Sequence, residues 1–336
     1  MTAPRLIDVH AHVFPRGLPD LAERTGDPRW PVLRIGRDAS EVRVDGAAFR
    51  SSPHTLWDVG ARLAALDAAG VEQQVVSPLP VGLVGWADAG LAGAWTAEMN
   101  EAVARSVADG DGRLLGLGCA PFGVDLRSHD AAAEAVARIA SDPRLTGIEI
   151  STLPGGLELD DDGLVPFWEA VAHHDLPVFV HPTDGGAVRR RGQPFDFGVG
   201  MLTDTAMAAT ALVFGGVLDR LPRLRIALAH GCGALPWMLP RLQVIGRSMG
   251  HDPVRVAETV RRLWVDTLVF DPEHLRLLVR RFGADHLLLG TDDPLIVGQL
   301  DQAPALVRAA AADGVLGVVD PTGVLGGNAR RFLGLD

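Results

Sequence analysis

The chain has 336 residues, 47% of them hydrophobic, with 39 Gly, 23 Pro and a formal net charge of −11. That length suits a barrel domain of roughly 250 residues plus insertions, and the acidic balance gives no basic footprint for nucleic acid. All 31 basic residues are Arg and there is no Tyr, which excludes Schiff-base chemistry on a lysine, a carboxylated lysine bridging two metals, and a tyrosine general acid.

In chain order, the first apolar run, Arg5-Leu6-Ile7-Asp8-Val9, ends in His10-Ala11-His12. Alternate side chains of a strand share a face, so both imidazoles point the same way, as half of a divalent-metal site does. The segment from about 15 to 53 breaks the rhythm with Arg, Asp, Gly and Pro and short alternating pieces such as Ser40-Glu41-Val42-Arg43-Val44. It is expected to be an insertion after the first strand, a small β-hairpin over the barrel mouth. Beyond it apolar runs alternate with amphipathic stretches, the mark of βα units. Strands are expected near 5–10, 71–78, 114–119, 145–150, 177–181, 224–230, 263–267 and 286–290. Helices are expected near 56–69, 88–109, 126–140, 163–174, 201–219, 234–248, 271–282 and 301–313. Eight such units make a (β/α)8 TIM barrel over 1–336, with its active site at the C-terminal strand ends. A second long loop, 183–200, carries Arg189-Arg190-Arg191, read as a solvated run, and long loops of this kind often contact substrate.

Three more strand ends carry ligand types. Pro177-Val178-Phe179-Val180 ends in His181, Leu224 to Ala229 ends in His230, and His286 to Thr291 ends in Asp292. Five aligned positions point to a metal site. With no lysine for a bridge, one metal held by three His and one Asp is expected, zinc first and manganese second. Glu149 on the fourth strand reaches inward or serves as a hydrogen-bond partner behind the ligands. Asp8 either orients a histidine through its ring N–H or caps a turn. His54, His129, His173, His174, His251 and His274 read as surface or capping residues, and His286 as structural at the opposite end of the barrel. Cys119 and Cys232 make no disulfide framework.

Asp8-x-His10-x-His12, Phe179-Val180-His181-Pro182, Ala229-His230-Gly231 and Gly290-Thr291-Asp292-Asp293-Pro294 resemble the amidohydrolase superfamily. The resemblance is closer to its metal-dependent decarboxylase branch, typified by 2-amino-3-carboxymuconate 6-semialdehyde decarboxylase. It spans nearly the whole chain, through Phe49-Arg50, Gly198 to Gly216, His230 to Trp237, Asp266 to Pro272, and Gly327 to Leu335. It implies that His10, His12, His181 and Asp292 hold zinc, and that His230 is the non-ligand acid/base acting on a metal-bound water. It implies that Arg50 grips a substrate carboxylate and that Arg241 reaches across a homodimer interface into the neighbouring site. The chain departs from the branch at Phe197, where a pocket Trp is usual, at Ser51-Ser52-Pro53-His54, and at Asp292-Asp293 in place of Asp-Tyr.

The function expected is nonoxidative decarboxylation of an aromatic or muconate-like carboxylic acid, with His230 and Asp292 moving protons and Arg50, Arg241 and Phe197 binding substrate. The same ligands serve a lactone or amide hydrolase or a hydratase, and a non-catalytic binding protein could retain the barrel. With no charged-then-apolar leader and no long apolar span, the chain is expected to be soluble and cytoplasmic, with no membrane or nucleic-acid partner.

Overall fold

In a computed structural model describing residues 5–37, 40–124, 130–183, 195–316 and 320–335, the apolar runs become strands β1 (Ile7–Val13), β2 (Val32–Ile35), β3 (Ser40–Val44), β4 (Ala47–Ser52), β5 (Gln73–Pro78), β6 (Leu114–Cys119), β7 (Leu145–Ser151), β8 (Val178–His181), β9 (Ile226–Leu228), β10 (Trp264–Asp266) and β11 (Leu287–Leu288). Eight of them form one parallel sheet in the order β1-β5-β6-β7-β8-β9-β10-β11. The ends of that sheet meet: Val9 N–H donates to Leu289 O at 2.8 Å, Asp292 N–H to His10 O at 2.7 Å and His12 N–H to Asp293 O at 2.8 Å. The result is the expected (β/α)8 barrel. Its lower interior is filled by Ile7, Val9, Val75, Leu117, Phe179, Ala227 and Leu288, and Phe332 and Leu333 of the helix Asn328–Leu333 pack against them.

The helices fall where the apolar periodicity puts them, and local chemistry sets their ends. Asp58 caps Val59–Ala69 by accepting from Ala61 N–H, and Gly70 ends it at φ 67°. Asp88 and Asp271 cap Ala89–Asp109 and Pro272–Phe282 in the same way. A carboxylate at this position satisfies N–H groups that the helix leaves open. The helix Pro253–Val260, capped by Asp252, lies between the expected helix 234–248 and the expected strand 263–267, where no element is expected.

In the insertion the expected hairpin is β3 with β4, extended by β2 into a three-stranded antiparallel sheet. Two expectations need correction. The strand expected over 224–230 stops at Leu228, because residues 230–233 all have positive φ, which no strand ladder accepts. The segment Asp196–Phe214 is, by length and composition alone, apolar enough to cross a bilayer, against the expectation of no such span. In the barrel its Thr205, Ala208, Ala209 and Leu212 are buried, as in a core helix. His129, Arg189-Arg190-Arg191 and most of the 183–200 loop lie outside the described residues. Cys119 and Cys232 are both buried and free, and burial pushes both thiols up.

Candidate metal centre

The barrel's upper rim carries four buried donors. His10, His12, His181 and Asp292 each offer one ligand atom, all within 4.8 Å of one another. His10 Nε2 is 3.2 Å from His12 Nε2 and 3.6 Å from Asp292 Oδ1, and His12 Nε2 is 3.3 Å from the same oxygen. Donors about 2.0–2.1 Å from a tetrahedral ion sit about 3.3 Å apart, so these spacings fit a divalent cation. The orphaned atoms agree: His181 Nε2 and Asp292 Oδ1 are buried with no hydrogen-bond partner among the described residues, a costly state for a polar atom that nothing coordinates. Strand geometry explains the convergence. His10 and His12 stand two apart on β1, and His181 ends β8. Asp292 lies beyond β11 at φ 55°.

Electrostatics prepare the donors. Burial pulls His12 and His181 below the ordinary imidazole value, His181 strongly, leaving both neutral with a free lone pair. Burial also opposes charge on His10, but the hydrogen bond it donates to Asp266 and the charges of Asp292 and Asp8 outweigh it and raise His10 to about 9. For Asp292 burial is again outweighed, here by His12 and the neighbouring imidazoles, and its carboxyl drops to about 2. A full carboxylate with two neutral rings and a third, His10, that would give up its proton to an incoming ion is a hard-plus-borderline donor set of the kind zinc takes.

His230 is close to the centre but not one of its donors. Its ring centroid lies 5.0 Å from that of His181, and its Nε2 is 4.0 Å from Asp292 Oδ2. Burial and the charge of His10 lower it to about 4, so it is a neutral base at ordinary pH. It sits at φ 57° in a left-handed turn with Gly231, Cys232 and Gly233. The two glycines are forced: a Cβ would come within 2.5 Å of Val269 Cγ1 at Gly231 and 2.2 Å of Leu202 O at Gly233.

His181, His230 and Asp292 floor a cavity of about 710 Å³ that opens upward. Its walls are mostly apolar, with Leu79, Met201, Trp237, Leu268 and Phe270 among them. Arg50, from β4 of the insertion, enters it, donates from Nη2 to Leu295 O at 2.7 Å, and lies 5.6 Å from the Phe197 ring. The structure thus brings Arg50 and Phe197 to the same wall. Arg241 is exposed on the helix Leu235–Ser248 and does not line the cavity of its own chain.

Asp8 resolves to the turn-capping alternative. The register of β1 on β5 shifts between Asp8 and Ala11, and Asp8 accepts from His10 N–H (3.1 Å), Thr291 N–H (3.1 Å), Thr291 Oγ1 (2.6 Å) and Gln74 Nε2 (2.8 Å), touching no histidine ring. Burial raises its carboxyl to about 6. Glu149 is fully buried with Oε1 3.9 Å from His12 Nδ1, beyond hydrogen-bond reach. The residue that sequence reasoning missed is Asp266, whose Oδ2 is 2.6 Å from His10 Nδ1. The available signal was its place at the end of the seventh barrel strand, level with the other polar strand ends.

Residues 7–335 match the amidohydrolase family. The 2-amino-3-carboxymuconate-6-semialdehyde decarboxylase of Dictyostelium discoideum is 32% identical over 98% of this chain and 92% of its own length. The gamma-resorcylate decarboxylase of a Rhizobium strain is 26% identical over 87% and 92%. Among solved structures, the 5-carboxyvanillate decarboxylase from Sphingomonas paucimobilis superposes with a TM-score of 0.75 at 24% identity, covering 98% of this chain and 99% of that one.

Proposed function

The chain belongs to the amidohydrolase family, in its decarboxylase branch, and on that footing we propose that it is a metal-dependent, nonoxidative decarboxylase of an aromatic or muconate-like carboxylic acid. The observation that carries this reading is the cluster of four donors with His230 beside it, at the floor of an apolar cavity entered, among the described residues, by the Arg50 guanidinium. His10, His12, His181 and Asp292 would hold one divalent ion, which when bound supplies Lewis-acid pull on an oxygen of the reactants.

This chain's own residues supply the rest. Arg50 grips a carboxylate of the substrate, a task suited to a planar fork of donors. Phe197, Leu268 and Met201 pack the flat or conjugated body and exclude water. Loss of carbon dioxide leaves an electron pair on carbon that a proton must fill. His230 Nε2, neutral above about pH 4 and 4.0 Å from Asp292 Oδ2, can accept a proton from solvent water, leaving the hydroxide to the bulk, and pass it to the reacting carbon, returning to its neutral form. Three imidazoles and one carboxylate favour zinc over manganese as the resident ion.

Elemental analysis of the purified protein, paired with carbon dioxide release across carboxymuconate and hydroxybenzoate acids, tests the reading. One zinc per chain and released carbon dioxide is the expected result. Metal without carbon dioxide from any acid would move the assignment to a hydrolase or hydratase. Arg50→Ala is expected to raise KM about 10–100-fold, the scale of a charge-assisted carboxylate contact, with metal content unchanged. Equal KM in both proteins would remove Arg50 from the binding site.

The functional form proposed is a homodimer in which Arg241 serves the neighbouring cavity. What supports it is the helix Leu235–Ser248, which exposes Trp237 (83%), Val244 (70%) and, just beyond its end, Met249 (72%) beside Arg241. Large apolar residues clustered on a surface mark contact sites. Sedimentation at micromolar concentration checks this, and a monomer there would leave Arg241 without a role.

A further inference from the structure

Asp266 ends β10 beneath the metal centre, and the two oxygens of its buried carboxylate meet different donors. Oδ1 accepts from Gly231 N–H at 2.8 Å and Leu268 N–H at 3.1 Å. Oδ2 accepts from His10 Nδ1 at 2.6 Å and from His230 N–H at 2.8 Å. One oxygen atom is therefore shared by a ligand ring and by the backbone of the acid/base.

Each bond has its own physical effect. At His10, accepting from Nδ1–H fixes the tautomer whose Nε2 lone pair faces the other donors. At His230, the acceptor holds a conformation that residues with a side chain rarely adopt: φ is 57°, 60°, 67° and 58° over residues 230–233. Successive left-handed residues turn their N–H groups toward one anion, and the anion here is the chain's own carboxylate. The direction of the His230 ring follows from that turn.

We propose that Asp266 is a positioning residue that couples the two halves of the site, its Oδ2 setting His10 for the metal and His230 for proton transfer together. The second half rests on the decarboxylase reading; the first needs no activity. Asp266→Asn preserves shape and one acceptor oxygen, but in either orientation of the amide an NH2 group faces two donors. Zinc affinity, measured by competition with a chromogenic chelator, is expected to fall about 10–100-fold. At saturating zinc, kcat is expected to stay at least tenfold down, roughly the low end of such outer contacts. Adding Asp266→Asn to His230→Asn should cost no further turnover, because its effect on turnover runs through His230.

Unchanged zinc affinity overturns the proposal. So does wild-type kcat at saturating zinc, or a full additional loss in the double variant, since either removes the coupling. If the variant does not fold, ring-nitrogen NMR of the zinc-loaded wild type decides: a His10 Nδ1–H protected from exchange supports the bond to Asp266, and a freely exchanging one overturns it. If the wild type releases no carbon dioxide, the decarboxylase reading fails while the zinc affinities still report on Asp266.

Discussion

Replacing His230 by Asn is expected to lower kcat by about 10²–10⁴-fold, the range for a positioned acid/base, with the metal still bound. The choice of Asn matters. It tolerates the left-handed region better than most residues, so the turn at φ 57° and the two N–H bonds to Asp266 survive the change. The ring that disappears is not one of the four converging donors. Steady-state kinetics together with metal counted per chain check the result. Loss of metal would make His230 a ligand, and unchanged kcat would return proton transfer to Asp292 alone.

The largest stability effect is expected at Arg62. This guanidinium is fully buried on the barrel side of the helix Val59–Ala69. It donates to Thr55 O (3.0 Å), His12 O (2.6 Å), the Gln74 side-chain oxygen and Asp293 Oδ2 (3.1 Å). Gln74 passes the chain of bonds on to Asp8, which holds Thr291 and the His10 backbone. Arg62→Met fills much of the same volume but leaves the Asp293 carboxylate, 13% exposed, without its counter-charge. Removing one partner of a buried pair costs about 3–5 kcal/mol. For a chain of this size, whose unfolding entropy is roughly 0.7 kcal/mol per K, that is a fall in Tm of roughly 4–7 °C. Thermal scanning of Arg62→Met, and of the same variant carrying Asp293→Asn, checks it: the second change should restore part of the loss. A fall under about 1 kcal/mol would mean that water already solvates Asp293.

The metal donors were legible because strands repeat every two residues. His10-x-His12 shares a face, and a polar residue ending an apolar run lies at the barrel rim wherever the run is a parallel strand. What periodicity cannot reveal is a break in itself. The register of β1 on β5 shifts after Asp8, whose carboxylate faces Thr291 and Gln74 rather than a ring, and the His10 ring is held instead by Asp266 at the end of β10. The left-handed turn at 230–233 was likewise hidden, since His230 and Cys232 are not residues that announce positive φ. Arg62 sits on a helix like any solvated arginine, and its burial is decided by Gln74, Thr55 and Asp293 from three other segments. Arg50 and Phe197 meet on one wall of the cavity although they come from the insertion and from the fifth crossover. No local pattern encodes that meeting; the resemblance to relatives supplied it.

The seam of the barrel also has a consequence in time. Asp8 and Thr291, which lie 283 positions apart, bond directly where β1 meets the last strand, and the donors split across the same join. During translation at about 5–20 residues per second, the His10-x-His12 half leaves the ribosome roughly a quarter of a minute to a minute before Asp292 does. His181 follows partway through that interval and Asp292 comes last, so the four donors can converge only once the last strand closes the ring.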